Sequence, residues 1–424
     1  METKPTLERW SNLLVLNRTV TVVLVTVLFF GLGEQLWETF MPAYLEARVK
    51  SHVHAAGETG QISWQALAAI GLYASLRNLF EGFCYIGGGQ LTARLGDRGS
   101  LILFALMTLA GYVLFLASAS PVVAIAAAML ILGWEPLSVP VTFTTVGSSV
   151  VESKRGMAFA VQSIQKRLPK IIGPVIAGLV IAWAQRQTDS PELGRVLGMR
   201  YLVAAALVLG LVSLAIQFRF MPHREPEPQP DSASALQIFR QFPPALRRLL
   251  LAEVFTRWCD WLVRAFVVVY VLLTLGQSDR FYGAVLTPLQ HLTALATYLP
   301  IGAMTRKFGL RPFIGVTFIF FALFPLSLAW SPPGWGLTIA FVVYGLREIG
   351  EPARKAMITT LLPEPIRARG VGLYWGLRSF AFCSAPLAGA TIWHLFGPQV
   401  LLHAAFLLGC CGAIVFFICF RRAA

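Results

Sequence analysis

Long runs of apolar residues dominate this chain, and polar residues gather between them in short turns. A bilayer core about 30 Å thick needs roughly 20 apolar residues per helical crossing, and without water to pair the backbone an α-helix is the economical way across. The pattern predicts twelve such helices, at 19–44, 64–91, 99–119, 121–146, 156–184, 199–220, 247–275, 281–304, 311–331, 334–358, 367–393 and 398–420. One clear break in composition, Pro222-His-Arg-Glu-Pro-Glu-Pro-Gln-Pro-Asp231, reads as a solvated, semi-extended linker. The expected fold is therefore an all-α membrane protein whose twelve transmembrane helices form two pseudo-symmetric six-helix bundles. The bundles cover 1–220 and 247–424, and the linker covers 221–246.

An internal repeat agrees with that division. Gly89-Gln-Leu-Thr-Ala-Arg-Leu-Gly-Asp-Arg98 recurs as Gly302-Ala-Met-Thr-Arg-Lys-Phe-Gly-Leu-Arg311, 213 residues later, each time at the end of a long apolar stretch. Composition strengthens the membrane reading: 56% of residues are hydrophobic and 13% charged, against roughly 25% charged in soluble domains. Basic residues fall on one side of the twelve-helix arrangement. Lys4, Arg9, Arg18, Arg94, Arg98, Lys154, Arg155, Arg247, Arg248, Arg306, Lys307, Arg311, Arg354, Lys355, Arg367, Arg369, Arg421 and Arg422 all lie there, which the positive-inside rule assigns to the cytoplasm. Both termini and the linker are then cytoplasmic, in the inner membrane of a bacterial-type cell. These loops and anionic headgroups account for the net charge of +14, so no nucleic-acid partner is implied. The six cysteines and six histidines show no ligand spacing, and no metal or other cofactor is expected. Loops too short for a catalytic domain and the lack of a nucleophile or nucleotide-binding motif argue against an enzyme or an ATP-driven pump.

Twelve helices, a central linker and the repeated glycine–arginine element together resemble the major facilitator superfamily. That resemblance implies two bundles rocking about a central cavity, lined by the first, fourth, seventh and tenth helices. The family's loop motif reads G-x-L-a-D-R-x-G-R-K and locks the cytoplasmic side in the outward-facing state. Gly89, Leu91, Arg94, Gly96 and Arg98 match it, as do Gly302, Lys307, Gly309 and Arg311. Ala93 and Arg306 stand where the family places a carboxylate, and Asp97 is the candidate substitute, by capping a helix or pairing with Arg155 or Arg369. The alternative is a tight interhelical turn with topology anchors. Gly173-Pro-Val-Ile-Ala-Gly178 looks like an element of the family's drug antiporters, and also fits close helix packing.

Charged groups in mid-membrane each cost at least about 2.5 kcal/mol on insertion scales, so they need a partner, a wet cavity or a task. The candidates for substrate binding or proton coupling are Glu34, Glu38, Arg77, Glu81, Glu135, Lys166, Arg167, Asp260, Arg264, His291, Arg347, Glu348 and Arg378. Arg77 with Glu81, Asp260 with Arg264 and Arg347 with Glu351 are opposite charges four apart, able to neutralise each other on one helix face. Glu34 with Glu38 and Lys166 with Lys170 are like charges four apart, and neither helix satisfies its own pair. Two close carboxylates in a low-dielectric site resist ionising together, which makes Glu34 the candidate proton-coupling group. An acidic wall on the first helix is expected to face a basic wall on the fifth. Aligning the halves sets Glu135 against Arg347, Lys166 against Arg378, and Glu34 and Glu38 against Asp260 and Arg264. Six embedded bases favour an organic anion or zwitterion as the small-molecule substrate of a monomeric, proton-coupled secondary transporter. Export of amphipathic drugs and a nontransporting sensor on the same scaffold remain the alternatives.

Overall fold

A computed structural model describes residues 18–52, 62–138, 155–221, 234–363 and 366–420. Among these residues there are helices and connecting turns, and no strand. The first half contains α1 (Arg18–Trp37), α2 (Met41–His52), α3 (Trp64–Ala117), α4 (Pro121–Leu132), α5 (Arg155–Gln185) and α6 (Pro191–Phe220). The second contains α7 (Ala235–Arg240), α8 (Pro244–Arg264), α9 (Thr287–Phe308), α10 (Arg311–Trp330), α11 (Gly336–Leu346), α12 (Glu351–Leu361), α13 (Arg367–Phe382) and α14 (Ala385–Phe420).

Local signals set many of these ends. Ser63 caps α3 by accepting from the Ala66 N–H, and Ser190 caps α6 through Leu193, with Pro191 in the first turn. At 54 residues, α3 is more than twice the length of one crossing, and Gly96 breaks it with a φ of 69° that side chains disfavour. Gly397, at φ 84° and followed by Pro398, breaks α14 in the same way. Seven helical stretches are long and apolar enough to cross a membrane: Thr21–Lys50, Arg94–Ala117, Pro121–Ser138, Gln165–Gln185, Pro191–Phe220, Arg311–Trp330 and Arg369–Phe420. The expected crossing at 64–91 falls outside this set and carries Arg77 and Glu81. That at 247–275 carries four charges along α8 and breaks after Arg264, while that at 334–358 breaks at 347–350, between α11 and α12. The run 139–154, including the end of the expected fourth crossing, and most of the Pro-rich segment lie outside the described residues.

One expectation changes. The stretch 235–240, read from sequence as solvated linker, is helix α7, started by a reciprocal capping box between Ser234 and Gln237. Its Ile238, with Phe242 just beyond, is buried in an apolar cluster with Leu246, Phe313 and Tyr374. Two apolar anchors outweigh the polar composition of the segment as a whole.

Within the first half α1 packs on α5 and α6, and α3 on α4; within the second, α8 and α10 pack on α14. Across the halves α3 meets α13 and α14, while α5 meets α9 and the turn 282–286. These two seams match residue for residue. A Cβ at Gly71 would lie 3.0 Å from the Pro386 carbonyl oxygen and from Ala390, and one at Gly283 would collide with the Pro174 carbonyl oxygen and lie 2.9 Å from Gly178. Each of the pairs Gly71/Gly283, Pro174/Pro386 and Gly178/Ala390 is separated by the same 212 residues, so the internal repeat reappears as equivalent backbone contacts.

Candidate functional site

Glu253, Arg257, Asp260 and Arg264 recur at four, three and four residues along α8, a spacing that puts all four on one face. Asp260 is fully enclosed and pairs directly with Arg347, with Arg264 3.6 Å and Arg257 3.8 Å from its other oxygen. Arg347 caps the C-terminus of α11, where the helix ends, and its guanidinium stacks 3.9 Å above the Tyr344 ring. Below this pair a second set continues along the same face. Arg354 holds both oxygens of Glu253 at 2.8 and 2.9 Å and Glu351 at 2.5 Å, Arg378 approaches Glu253 at 3.4 Å, and Arg257 links Glu351 at 3.9 Å to Asp260. Glu253, Arg257, Glu351 and Arg354 were not among the candidate site residues, although the heptad-like stripe of charge on α8 announced the first two.

In the first half Glu38 pairs with Arg77 and accepts from Gln35 at 2.5 Å, while Glu81 accepts from the Tyr85 hydroxyl at 2.9 Å. Two of the three same-helix pairs expected from sequence are therefore replaced. Arg77 reaches across to Glu38 rather than Glu81, and Arg347 to Asp260 rather than Glu351; only Asp260–Arg264 forms as expected. On helices packed by several neighbours, a long side chain has better partners opposite than beside it. The expected pairing of an acidic first helix with a basic fifth is also corrected: Glu38 is taken by Arg77, and Lys166 approaches Glu135 at 3.9 Å. Glu34, 6% exposed, and Lys170 make no ion pair or hydrogen bond among the described residues. Lys170 nevertheless lies within electrostatic reach of Glu34, Glu38 and Glu135.

The two clusters touch across the seam. Arg167 of α5 pairs with Glu348 at 2.9 Å and contacts the Tyr298 hydroxyl of α9, and His291 lies in the field of both Arg167 and Glu348. Arg77 and Arg264 approach the Trp261 ring at 5.7 and 4.7 Å. The chain of contacts thus runs Glu38, Arg77, Trp261, Arg264, Asp260, Arg347, Glu348, Arg167. The repeat sets Glu34 and Glu135 against Asp260 and Arg347. In the second half an acid and a base fill these places and pair; in the first, two acids fill them, and Glu34 is left without a partner. Side-chain exposure is graded along the network, from none at Asp260 to 29% at Lys166, 37% at Arg264 and 42% at Glu135.

A separate polar knot joins the halves where α5 ends and α6 begins. Arg195, buried, clasps both oxygens of Asp279 at 2.8 and 3.0 Å, and Gln185 donates to the same carboxylate at 2.9 Å. Beside it Lys50 binds Glu192 at 2.6 Å. The close approach of Gly178 to Gly283 seals this end, which gives the Gly173–Gly178 element a packing role; Gly173 itself lies against Gln35. Arg195 and Asp279 were missed because each sits at a helix end that sequence reading treats as loop.

The repeated loop element is structurally duplicated. Gly96 and Gly309 both take positive φ, 69° and 76°, at the end of their helices. Arg98 donates to the Phe218 carbonyl at 2.9 Å, in the last turn of α6, and Lys307 lies 5.3 Å from the Phe308 ring. Asp97, Arg311 and Arg369 are each engaged, Arg94 is exposed, Gly89 and Gly302 lie within their helices, and the side chains of Arg155 and Arg306 lie outside those described.

Residues 23–291 match the model of the Major Facilitator Superfamily. An uncharacterised MFS-type transporter of Methanocaldococcus jannaschii is 20% identical over 269 residues, which span 62% of this chain and 64% of that relative. Among solved structures, the human organic anion transporter MFSD10 (TETRAN) is 18% identical with a TM-score of 0.62, over 94% of this chain and 99% of that one. A POT family transporter in complex with a thioalcohol-conjugated peptide is 15% identical with a TM-score of 0.70, over 93% and 94%. At these identities the likeness is one of fold.

Proposed function

Because the chain belongs to the major facilitator superfamily, and so is a multi-pass membrane transporter, we propose that it is a proton-coupled secondary carrier of a small organic anion or zwitterion. Twelve crossings form two six-helix bundles over 1–220 and 247–424, with both termini on the cytoplasmic side of the inner membrane, and the protein works as a monomer by alternating access. The observation that carries the coupling is Glu34: a buried carboxylate without a counterion, beside Glu38 and Glu135, in the half where the repeat puts acid against acid. Such a group holds a proton when the site is dry and releases it when water or a cation reaches it. Lys170, equally without a partner, is the cation best placed to accept that exchange, and Glu135, Lys166 and Arg264 are the partly exposed charges that meet substrate.

The preference for an anion rests on the bases. Arg264, Lys166 and Lys170 are held by long contacts or by none, whereas Glu38, Asp260, Glu253 and Glu348 are tightly held. An incoming carboxylate or phosphate finds free cations more readily than an incoming cation finds free acids. With this topology the Arg195–Asp279 knot is external, so the structure corresponds to a carrier closed towards the outside. The test begins with a thermal-shift screen of purified protein against organic acids, amino acids and amphipathic cations, since a bound ligand stabilises the folded state by mass action. Labelled hits are then offered to proteoliposomes. Accumulation of an acid or zwitterion above its external concentration is expected; accumulation of amphipathic cations alone overturns the substrate class, and binding without accumulation of any hit overturns the carrier reading.

A further inference from the structure

Phe80, Cys84, Gly87, Leu91 and Arg94 follow one another at four, three, four and three residues, and so form a stripe on one face of α3. With Phe83, Gln90 and Leu137 they line a cavity of about 340 Å³, apart from the charged network. Its body is apolar, and its two polar residues, Gln90 and Arg94, stand together at one end. Phe83 is 60% exposed, so the cavity opens on the flank of the molecule. Gly87 keeps it open, because a Cβ there would meet no atom within 4 Å. From Phe80 to Arg94 the stripe runs about 21 Å at 1.5 Å per residue, close to one leaflet of a bilayer whose apolar core is about 30 Å thick.

The polar end carries an unanswered charge. Arg94 is exposed and makes no ion pair or hydrogen bond among the described residues, and its neighbour at the motif's acidic position is Ala93. A cation at the end of an apolar groove of leaflet length complements one kind of molecule. We propose that this groove holds an anionic phospholipid, with an acyl chain along Phe80, Phe83, Cys84 and Gly87 and its phosphate on Arg94 and Gln90. The membrane then supplies the negative charge that position 93 lacks, next to the Gly96 turn. The assignment to the cytoplasmic leaflet rests on the topology proposed above; the site itself does not.

Native mass spectrometry of the full-length protein, stripped of lipid in detergent and given phosphatidylglycerol, phosphatidylcholine or soluble glycerol phosphate, tests this without any transport measurement. One retained phosphatidylglycerol per chain is expected, with a raised melting temperature, and neither effect from the other two compounds. Arg94→Gln, at an exposed position, should weaken retention about fivefold, matching roughly 1 kcal/mol for one basic residue at a lipid surface. Gly87→Leu should abolish the retained lipid by filling the groove. Equal retention of phosphatidylcholine overturns the proposal, as does retention unaffected by both substitutions. Stabilisation by glycerol phosphate would replace the lipid with a free anion site and overturn it too. If Gly87→Leu fails to fold, Arg94→Gln decides alone.

Discussion

Asp260→Asn keeps the shape of the side chain and removes the charge on which three arginines converge. Arg347 suffers most: it is 3% exposed, it pairs directly with Asp260, and its next carboxylate, Glu348, is 3.9 Å away and already shared with Arg167 at 2.9 Å. Removing one partner of a buried pair leaves the other charge uncompensated and costs about 3–5 kcal/mol. Arg347→Gln is milder, about 1–3 kcal/mol, because Asp260 keeps Arg264 at 3.6 Å and Arg257 at 3.8 Å. In the double variant neither buried charge of the pair remains, so it should be more stable than Asp260→Asn alone, with a coupling of about 2 kcal/mol. Thermal unfolding in detergent, followed by tryptophan fluorescence, reads the series; for a chain of this length about 1 °C corresponds to 1 kcal/mol. Asp260→Asn should therefore melt about 3–5 °C lower, and the double variant should recover part of that loss. Strictly additive losses, or a neutral Asp260→Asn, would show that the pair is not the unit described here.

The Arg195–Asp279 knot should hold the external side shut. Asp279→Asn is expected to raise the labelling rate of a cysteine introduced at the enclosed Ala177 by a membrane-impermeant thiol reagent at least severalfold, and an unchanged rate would remove the knot from gating. Gly283→Leu forces a side chain against the Pro174 carbonyl and Gly178; it should cost about 1–3 kcal/mol and favour the externally open state in the same labelling assay. Glu253→Gln leaves Arg354 with Glu351 alone and should lower stability by about 3 kcal/mol, an effect that a melting curve matching wild type would refute.

Much of this arrangement is legible in the amino-acid order, and the limits of that legibility are physical. The Gly96 and Gly309 turns were readable because a positive φ selects glycine, and the 212-residue equivalence of the two seams follows from the same repeat. Charged residues in apolar runs identify the site's members, since each one is costly there unless it has a partner or a task. Their partners were not readable. Arg77 has Glu81 one turn along its own helix yet takes Glu38 from α1's end, and Arg347 gains Asp260 because α11 stops at that residue, which breaks the spacing that would have led to Glu351. Spacing along a helix decides only which groups share a face, whereas pairing depends on the neighbour that packing brings opposite. Glu34 stands out for the converse reason: nothing in its own helix or the adjacent ones answers it.

The most direct test of the central claim is a comparison of uphill and downhill transport by Glu34→Gln in proteoliposomes, using an anion or zwitterion found by the thermal-shift screen. Wild type should accumulate the solute under an imposed pH gradient. The variant should lose that accumulation and its dependence on pH, yet still exchange labelled for unlabelled solute at equal concentrations on both sides. Accumulation by Glu34→Gln at the wild-type level, still driven by the pH gradient, would contradict the assignment of the proton to this unpaired carboxylate.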